Sequence, residues 1–360
     1  MKQVLHLTDS LDLAGTENCI MNWYRNIDKT KIQFDFICLT DKNSYFKEEI
    51  EKLGGKIFII KKENGLAGKI KFYFNLFKFL KKNKFYIFHT HFHYSSGFDC
   101  MIAFLAGIKE RITISHFNEG YRNTPFYKKL FSKLLIKLFA TKRIAASMEA
   151  GKTLYGNMSY TVIYNGIDFK KFTYNEIIRT EIRRKFNIEE NFIVGHIGRF
   201  ESQKNHNFLI DIFNEILKHK ENAILLSIGE GPLEKEIKEK VKNLNIETKV
   251  KFLGIREDVN KLYQAMDCFI LPSFFEGLGI VNIEAQCSGL PVFISDGVPD
   301  EAMICNTKEI SLTKTAKQWA DIILEKVKNI ERKDCSLILK QAGFDIKDTV
   351  KQIEKVYLGK

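Results

Sequence analysis

Two carboxylates in one glycine-rich stretch are the most chemically suggestive feature of the sequence. Pro272-Ser273-Phe274-Phe275-Glu276-Gly277-Leu278-Gly279 leads from a strand-like run into a helix-like run that carries Glu284. Glycine-flanked amides at a helix start can hold phosphate or sugar hydroxyls. Each carboxylate can accept a pair of hydroxyl hydrogen bonds, which suits sugar and ribose diols. Paired acids also suit a glycosidase, but phosphate-type donors elsewhere argue against that. Those donors lie in Ile197-Gly198-Arg199-Phe200-Glu201-Ser202-Gln203-Lys204-Asn205, again between a strand and a helix. Arginine offers a planar fork and lysine a point charge, the pair that a pyrophosphate wants. A solvated surface pair is the plainer alternative. Neither a Walker loop nor the G-x-G-x-x-G nicotinamide fingerprint is present.

Three further loops draw attention. Asp12-Leu13-Ala14-Gly15-Thr16-Glu17 follows the first strand and opens a helix. Gly15 allows close backbone approach to an anion there, or simply makes a capped turn. Ser115-His116-Phe117-Asn118-Glu119-Gly120 places His116 at a strand's carboxyl end, where it can reach a ligand. His89, His91 and His93 alternate along one extended segment. No acidic or cysteine partner follows them at metal-ligand spacing, so polar packing is the expected role and no metal is assigned.

The elements that must position these loops alternate between strand and helix. Strands are expected at Val4–Thr8, Phe34–Leu39, Lys56–Ile60, Phe85–Thr90, Arg111–Ser115, Arg143–Ala146 and Thr161–Tyr164. After a polar turn at Asn165-Gly166 they recur at Phe192–Ile197, Ala223–Ile228, Val250–Leu253, Cys268–Leu271 and Val292–Ile294. Such alternation means βαβ units and parallel sheets. The fold class is therefore α/β, with two Rossmann-like domains whose sheets face across a cleft. Ligands of such sheets bind beyond the strands' carboxyl ends, where the candidate loops lie. The division expected is 1–165, 166–344, and a terminal helix over 345–360 that crosses back to the first domain.

Charge separates the halves. Residues 1–165 hold 26 Lys and Arg against 14 Asp and Glu, while residues 166–360 hold 30 of each, so the whole formal charge of +12 lies in the first half. Two basic segments stand out, Lys69–Lys84 and Tyr127–Arg143. In the second, Leu130, Leu134, Leu135 and Leu138 are expected to share an inward apolar face, with Lys129, Lys133 and Lys137 recurring every four residues. Such a helix can pack on the sheet and still turn its lysines toward an anionic membrane surface. Nucleic acid is not expected, because no nucleic-acid-binding motif is visible. No stretch approaches the ~18–20 apolar residues that span a bilayer, and the first twenty residues lack a signal-peptide core. Seven scattered cysteines without C-x-x-C suggest neither a disulfide framework nor a zinc site. A reducing cytoplasm is the expected compartment, with peripheral attachment to the inner face of the membrane as an option.

These motifs together resemble the retaining GT-B glycosyltransferases of family 4. Glu276-x7-Glu284 with Gly277 and Gly279 between is similar to that family's E-x7-E signature. Gly198-Arg199 with Gln203-Lys204-Asn205 resembles its donor-phosphate loop, and Asn165-Gly166-Ile167-Asp168 its interdomain linker. Gly15-Thr16-Glu17 is similar to its N-terminal glycine loop, with Ala14 where the family often has a first glycine. Ser147 to Gly156 and Ile294-Ser295-Asp296-Gly297-Val298-Pro299 resemble members that build bacterial exopolysaccharide and capsule.

The resemblance implies roles. Arg199 and Lys204 would bind the donor diphosphate. Glu284 would hold the ribose hydroxyls, and Glu276 would hold sugar hydroxyls and align the reacting face. Backbone at Gly277, Leu278 and Gly279 would contact sugar and phosphate, Gly15 would approach the phosphate, and His116 would lie near the sugar's hydroxymethyl end. The base would lie against Gly254-Ile255-Arg256, with Gly229 lining the same pocket. The partners implied are a nucleotide diphosphate sugar, UDP-linked, and a saccharide or lipid-linked saccharide acceptor. No cofactor or metal is expected, since no D-x-D motif occurs in a donor loop. Two other readings share these features: a non-transferring GT-B sugar-nucleotide epimerase, and a nonenzymatic membrane-associated scaffold.

Overall fold

The computed structural model describes residues 1–13, 15–40, 45–116, 124–328 and 331–359. Ala14 of the first glycine loop and Phe117–Gly120 of the His116 loop fall outside them. The chain forms two units, Met1–Gly166 with Gly343–Lys360, and Ile167–Ala342.

The first unit is built on seven parallel strands: β1 (Lys2–Thr8), β2 (Ile32–Cys38), β3 (Ile57–Ile59), β4 (Ile87–Thr90), β5 (Glu110–Ser115), β6 (Lys142–Ala145) and β7 (Thr161–Val162). Their order is β3-β2-β1-β4-β5-β6-β7. β2 reads IQFDFIC and is buried along its whole length, as expected of a strand covered on both faces. Its one charge, Asp35, accepts the Lys56 amide at 2.8 Å.

The Ile346–Leu358 helix completes this unit. Asp345 caps it by accepting from the Lys347 amide at 2.9 Å. Ile346, Val350, Ile353 and Tyr357 recur at helical spacing and enter the same core as Trp23, Tyr24, Phe34 and Phe36. Lys2 Nζ donates to the helix's Tyr357 carbonyl at 3.1 Å.

One outer helix differs from its expected form. The Phe126–Phe139 helix ends four residues before Arg143, because Ala140 is extended and the chain enters β6 at Lys142. It buries Ser132, Leu135 and Ile136. Leu130, Leu134 and Leu138 were expected to face inward, but they are 59%, 48% and 62% exposed, in line with Phe126 at 79%. The spacing of four that seemed to mark the buried face marks an outer one. Lys129 and Lys133 are half-buried beside it and Lys137 is exposed.

The second unit has six parallel strands: β8 (Phe192–Ile197), β9 (Ala223–Ile228), β10 (Val250–Phe252), β11 (Cys268–Leu271), β12 (Val292–Ser295) and β13 (Thr307–Ile310). Their order is β10-β9-β8-β11-β12-β13. β13 was not expected. TKEI is short, half polar and on the sheet edge, so it carries no apolar run. Val194, Leu225, Ile270 and Phe293 from the central strands meet Phe213 and Trp319 from covering helices in one core.

The cysteine reading also needs correction. Cys305 and Cys335 form a disulfide, with Cα atoms 6.1 Å apart, that ties the loop before β13 to the segment after the Ala316–Val327 helix. Scattered spacing hides such a pair, since only tertiary folding brings it together. No helix among the described residues is long and apolar enough to cross a membrane.

Candidate active site

The loops after β8, β9, β10 and β11 leave one edge of the second sheet together. Gln203 and Asn205 fasten the first of these loops to the last. The Gln203 carbonyl accepts the Phe274 amide at 2.8 Å, its side-chain amide donates to Phe275 O at 2.9 Å, and Asn205 donates to Pro272 O at 3.1 Å.

That fastening brings Lys204 to Glu276. Lys204 Nζ lies 2.6 Å from Glu276 Oε1, with the side chains 17% and 6% exposed. Ser273 Oγ donates to the same oxygen at 2.6 Å. The Glu276 amide donates to Gly297 O at 2.9 Å, which fixes the backbone under the carboxylate. Gly279 then adopts φ +69°, a left-handed value that glycine allows, and starts the Ile280–Cys287 helix.

Glu284 sits elsewhere on that helix and has its own partner. Tyr263 Oη lies 2.9 Å from Glu284 Oε2 and 3.0 Å from Val281 O. Although the residue as a whole is only half-buried, enclosure of its carboxyl pushes the pKa up to about 7, against the opposing pull of the Tyr263 bond.

The remaining candidates are more separate. Arg199 is not drawn to Lys204. It is exposed and lies 3.2 Å from Glu201. Arg256 forks onto Asp258 at 2.8 and 2.7 Å, while Ile255 is exposed and Leu278 buried. Gly229 has φ +133°, and a Cβ there would stand 2.2 Å from Gly198 O, so these two loop backbones are in direct contact. Gly254 accepts the Gly229 amide at 2.9 Å. Ser273 and Tyr263 were missed from sequence. A serine three residues before Glu276 was a readable signal; Tyr263 was not, being 21 residues from Glu284.

In the first unit, Gly15 begins the Gly15–Asn26 helix, and among the described residues no atom lies within 4 Å of where its Cβ would stand. His116 lies just beyond β5, and its Nε2 is 3.0 Å from His91 Nδ1. The alternating triple His89, His91, His93 does not act as one set. His93 leaves the strand with φ +32°, and His6 from β1 joins His89 and His91 instead, with ring nitrogens within 4.8 Å of one another.

Comparison with known proteins places this arrangement. Residues 13–171 match the model of Glycosyltransferase Family 4, and residues 178–336 match that of the glycosyl transferases group 1. EpsF of Bacillus subtilis (strain 168), which carries a glycosyltransferase name, is 32% identical, covering 99% of this chain and 96% of that protein. This chain belongs to the family 4 glycosyltransferases.

Other relatives of this glycosyltransferase span a similar length. The capsular polysaccharide biosynthesis glycosyltransferase CapH of Staphylococcus aureus is 25% identical, over 100% of this chain and 99% of its own. The UDP-Gal:alpha-D-GlcNAc-diphosphoundecaprenol alpha-1,3-galactosyltransferase of Escherichia coli is 27% identical, over 81% and 80%. Among solved structures, Anabaena HepE in complex with UDP and glucose superposes with a TM-score of 0.83 at 19% identity, covering 99% of each chain. The sucrose-phosphate synthase of Thermosynechococcus elongatus gives 0.79 at 16%, covering 100% and 99%. The fold of this glycosyltransferase is GT-B, with its two Rossmann-like units.

Proposed function

We propose that this glycosyltransferase is a retaining, metal-independent enzyme that moves a sugar from a UDP-sugar to a saccharide or lipid-linked saccharide acceptor during bacterial surface polysaccharide assembly. The observation that carries the reading is the buried Lys204–Glu276–Ser273 cluster beside the Gly277–Gly279 turn. It joins a phosphate-binding cation to a sugar-binding carboxylate at the start of a helix.

In this reading Lys204 and Arg199 hold the diphosphate, aided by backbone at Gly277, Leu278 and Gly279. Gly229, Ile255 and Arg256 border the base, and Glu284 accepts the ribose hydroxyls. Oε1 of Glu276 is taken by two hydrogen bonds, so Oε2 is the oxygen offered to a sugar hydroxyl. That tethering suits alignment better than nucleophilic attack. The anomeric carbon–oxygen bond breaks toward UDP and the acceptor hydroxyl adds from the same face. Its proton passes to the departing phosphate. Negative charge grows on phosphate oxygens, and each lost donor of this kind costs ~3–4 kcal/mol in the barrier. Gly15 and His116 of the first unit contribute to the phosphate and sugar ends.

The UDP donor and a polyprenyl-linked acceptor are supported by the name of the Escherichia coli relative, and polysaccharide assembly by that of CapH. An anionic membrane surface fits the Phe126–Phe139 helix, whose outer face combines apolar side chains with Lys128 and Lys137. The test is release of UDP from a panel of UDP-sugars with an undecaprenyl-diphosphate-linked sugar, with and without chelator, and NMR of the product anomer. An α-linked product from an α-linked donor in excess chelator is expected. Inversion, or activity lost in chelator and restored by magnesium or manganese, would refute the proposal. Isomerised donor without transfer would favour the epimerase.

A further inference from the structure

A chain of histidines in the first unit is left over by this account of sugar transfer. His6 Nδ1 lies 3.0 Å from His91 Nε2, and His91 Nδ1 lies 3.0 Å from His116 Nε2. β1, β4 and β5 are neighbours in the sheet, so the rings line up across its carboxyl edge. A neutral imidazole has one N–H donor and one acceptor nitrogen. Two ring-to-ring bonds in series therefore allow two self-consistent settings. Either all three rings carry the proton on Nδ1, or all three carry it on Nε2.

The settings differ at the ends of the chain. With Nδ1 protonated, His6 ends in a bare Nε2 and His116 presents an Nδ1–H. With Nε2 protonated, His6 ends in an N–H and His116 in a lone pair. Neither end atom has a hydrogen-bond partner among the described residues. Their place in the fold chooses between them. His6 is fully buried, with its ring 4.3 Å from Phe34 and 5.6 Å from Phe36. A stranded N–H in such a place is rarer and more costly than an unused lone pair. His116 Nδ1 is buried as well, but it lies just beyond β5 at the strand's carboxyl end, where ligands of such sheets bind, so an oxygen of a bound ligand can take its N–H.

We propose that His91 and His6 are positioning residues that hold His116 as the neutral Nδ1–H tautomer, making His116 a hydrogen-bond donor to an oxygen of the bound sugar rather than a base. This rests on the sugar-contacting role given to His116 above. Burial lowers the pKa of all three rings, that of His116 to about 4; His91 lowers that of His6 further, and His89 and His116 lower that of His91. The chain is thus neutral at pH 7. A divalent ion held by His6, His89 and His91 is the competing arrangement. No carboxylate or thiolate joins that trio among the described residues, so the ion's charge would sit uncompensated in an aromatic core. It would also take the His91 Nε2 that faces His6.

Nitrogen-15 labelling of histidine in the full-length protein, with two-bond proton–nitrogen correlation, reads each tautomer directly. Neutral Nδ1–H patterns are expected for His6, His91 and His116 at pH 7. Kinetics supply the second readout. His91→Phe fills the ring's space and removes both bonds. It should move His116 toward Nε2–H and lower kcat about tenfold, the worth of one misdirected hydrogen bond, with the UDP-sugar KM little changed. His91→Asn can place an amide N–H where Nδ1–H was, and should restore kcat to within about twofold.

His116 found as Nε2–H, parental kcat in His91→Phe, or stoichiometric zinc at the trio by elemental analysis would each overturn the proposal. Should His91→Phe not fold, the parent spectrum and His91→Asn still decide. Full activity of His116→Ala would remove His116's role and with it the positioning role. An Nε2–H His116 in an enzyme that His116→Ala inactivates would overturn the chain alone.

Discussion

Replacing Lys204 by methionine should destabilise the second unit as well as weaken nucleotide binding. Lys204 Nζ sits 2.6 Å from Glu276 Oε1 with little exposure on either side chain. At an effective dielectric of about 20 such a contact is worth roughly 6 kcal/mol gross. Removing both ions from water offsets most of that, so the intact pair adds little net stability. Removing one partner strands the other. Ser273 still donates to Glu276, which puts the cost at the lower end of the usual range, about 3 kcal/mol. In a domain of this size that lowers Tm by about 6–12 °C. Glu276→Gln keeps an acceptor for Ser273 and leaves the more exposed ion, Lys204, able to reach water, so about 1 kcal/mol is expected. The double variant should show a coupling of about 2 kcal/mol. Calorimetry of the parent and three variants, with and without UDP, measures all of this. A hundredfold excess of UDP over its Kd adds ~2.7 kcal/mol to the parent, and should add far less to Lys204→Met. A Lys204→Met transition within about 2 °C of the parent would show that no stranded charge is left behind, and the reasoning would fail.

Three further outcomes are expected. The one proton of the Tyr263 hydroxyl is shared between Glu284 Oε2 and Val281 O, so it compensates burial only in part and the ligand-free Glu284 carboxyl is largely protonated below about pH 7. Nucleoside binding needs the ionised carboxylate and should release close to one proton at pH 6 and little at pH 8, read by titration calorimetry in buffers of different ionisation enthalpy, with Glu284→Gln silent. The same raised pKa means that the folded state binds the extra proton between pH 4.5 and about 7, so this group favours folding at low pH and loses that contribution as pH rises through about 7. Gly229→Ala should lose UDP binding and several degrees of Tm, because its φ of +133° and the Gly198 carbonyl both exclude a side chain; a UDP titration at parental affinity would count against the contact. On anionic vesicles, replacing Lys128 and Lys137, the exposed lysines of the outer face, with Gln should remove the salt-sensitive part of binding, worth ~1 kcal/mol per lysine. Replacing Leu130, Leu134 and Leu138 with Ser should remove the part that survives high salt. Cosedimentation unchanged in both variants would make the helix face an ordinary surface.

The strands that could be read from sequence are those whose burial on both faces leaves an apolar run. β8, β9 and β11 begin and end where the pattern placed them. β13 escaped because an edge strand needs no such run. The Phe126–Phe139 helix misled for a related reason. A spacing of four shows that side chains share a face, but not whether that face meets the sheet, and this helix has apolar residues on both its inner and outer sides. Within the candidate site, residue types and loop positions were legible, whereas pairings were not. Lys204 and Glu276 are 72 positions apart, and nothing local in either loop announces the other.

The topology explains why those two meet. β8 lies between β9 and β11, so the chain leaves β8 in one direction across the sheet and returns to its other side after β10. Neighbouring strands whose connections run to opposite sides leave a gap at their carboxyl ends, and ligands of open parallel sheets bind there. The loops after β8 and β11 flank that gap, and Gln203 and Asn205 stitch them together. The first unit repeats the plan, with β1 between β2 and β4. Its flanking segments carry Gly15 after β1 and His91 after β4, with His116 one strand further on. Distant residues of this sequence therefore converge because strand order reverses twice, once in each unit. Any functional residue still unassigned in either unit is best sought first in the segments that follow β1, β4, β8 and β11.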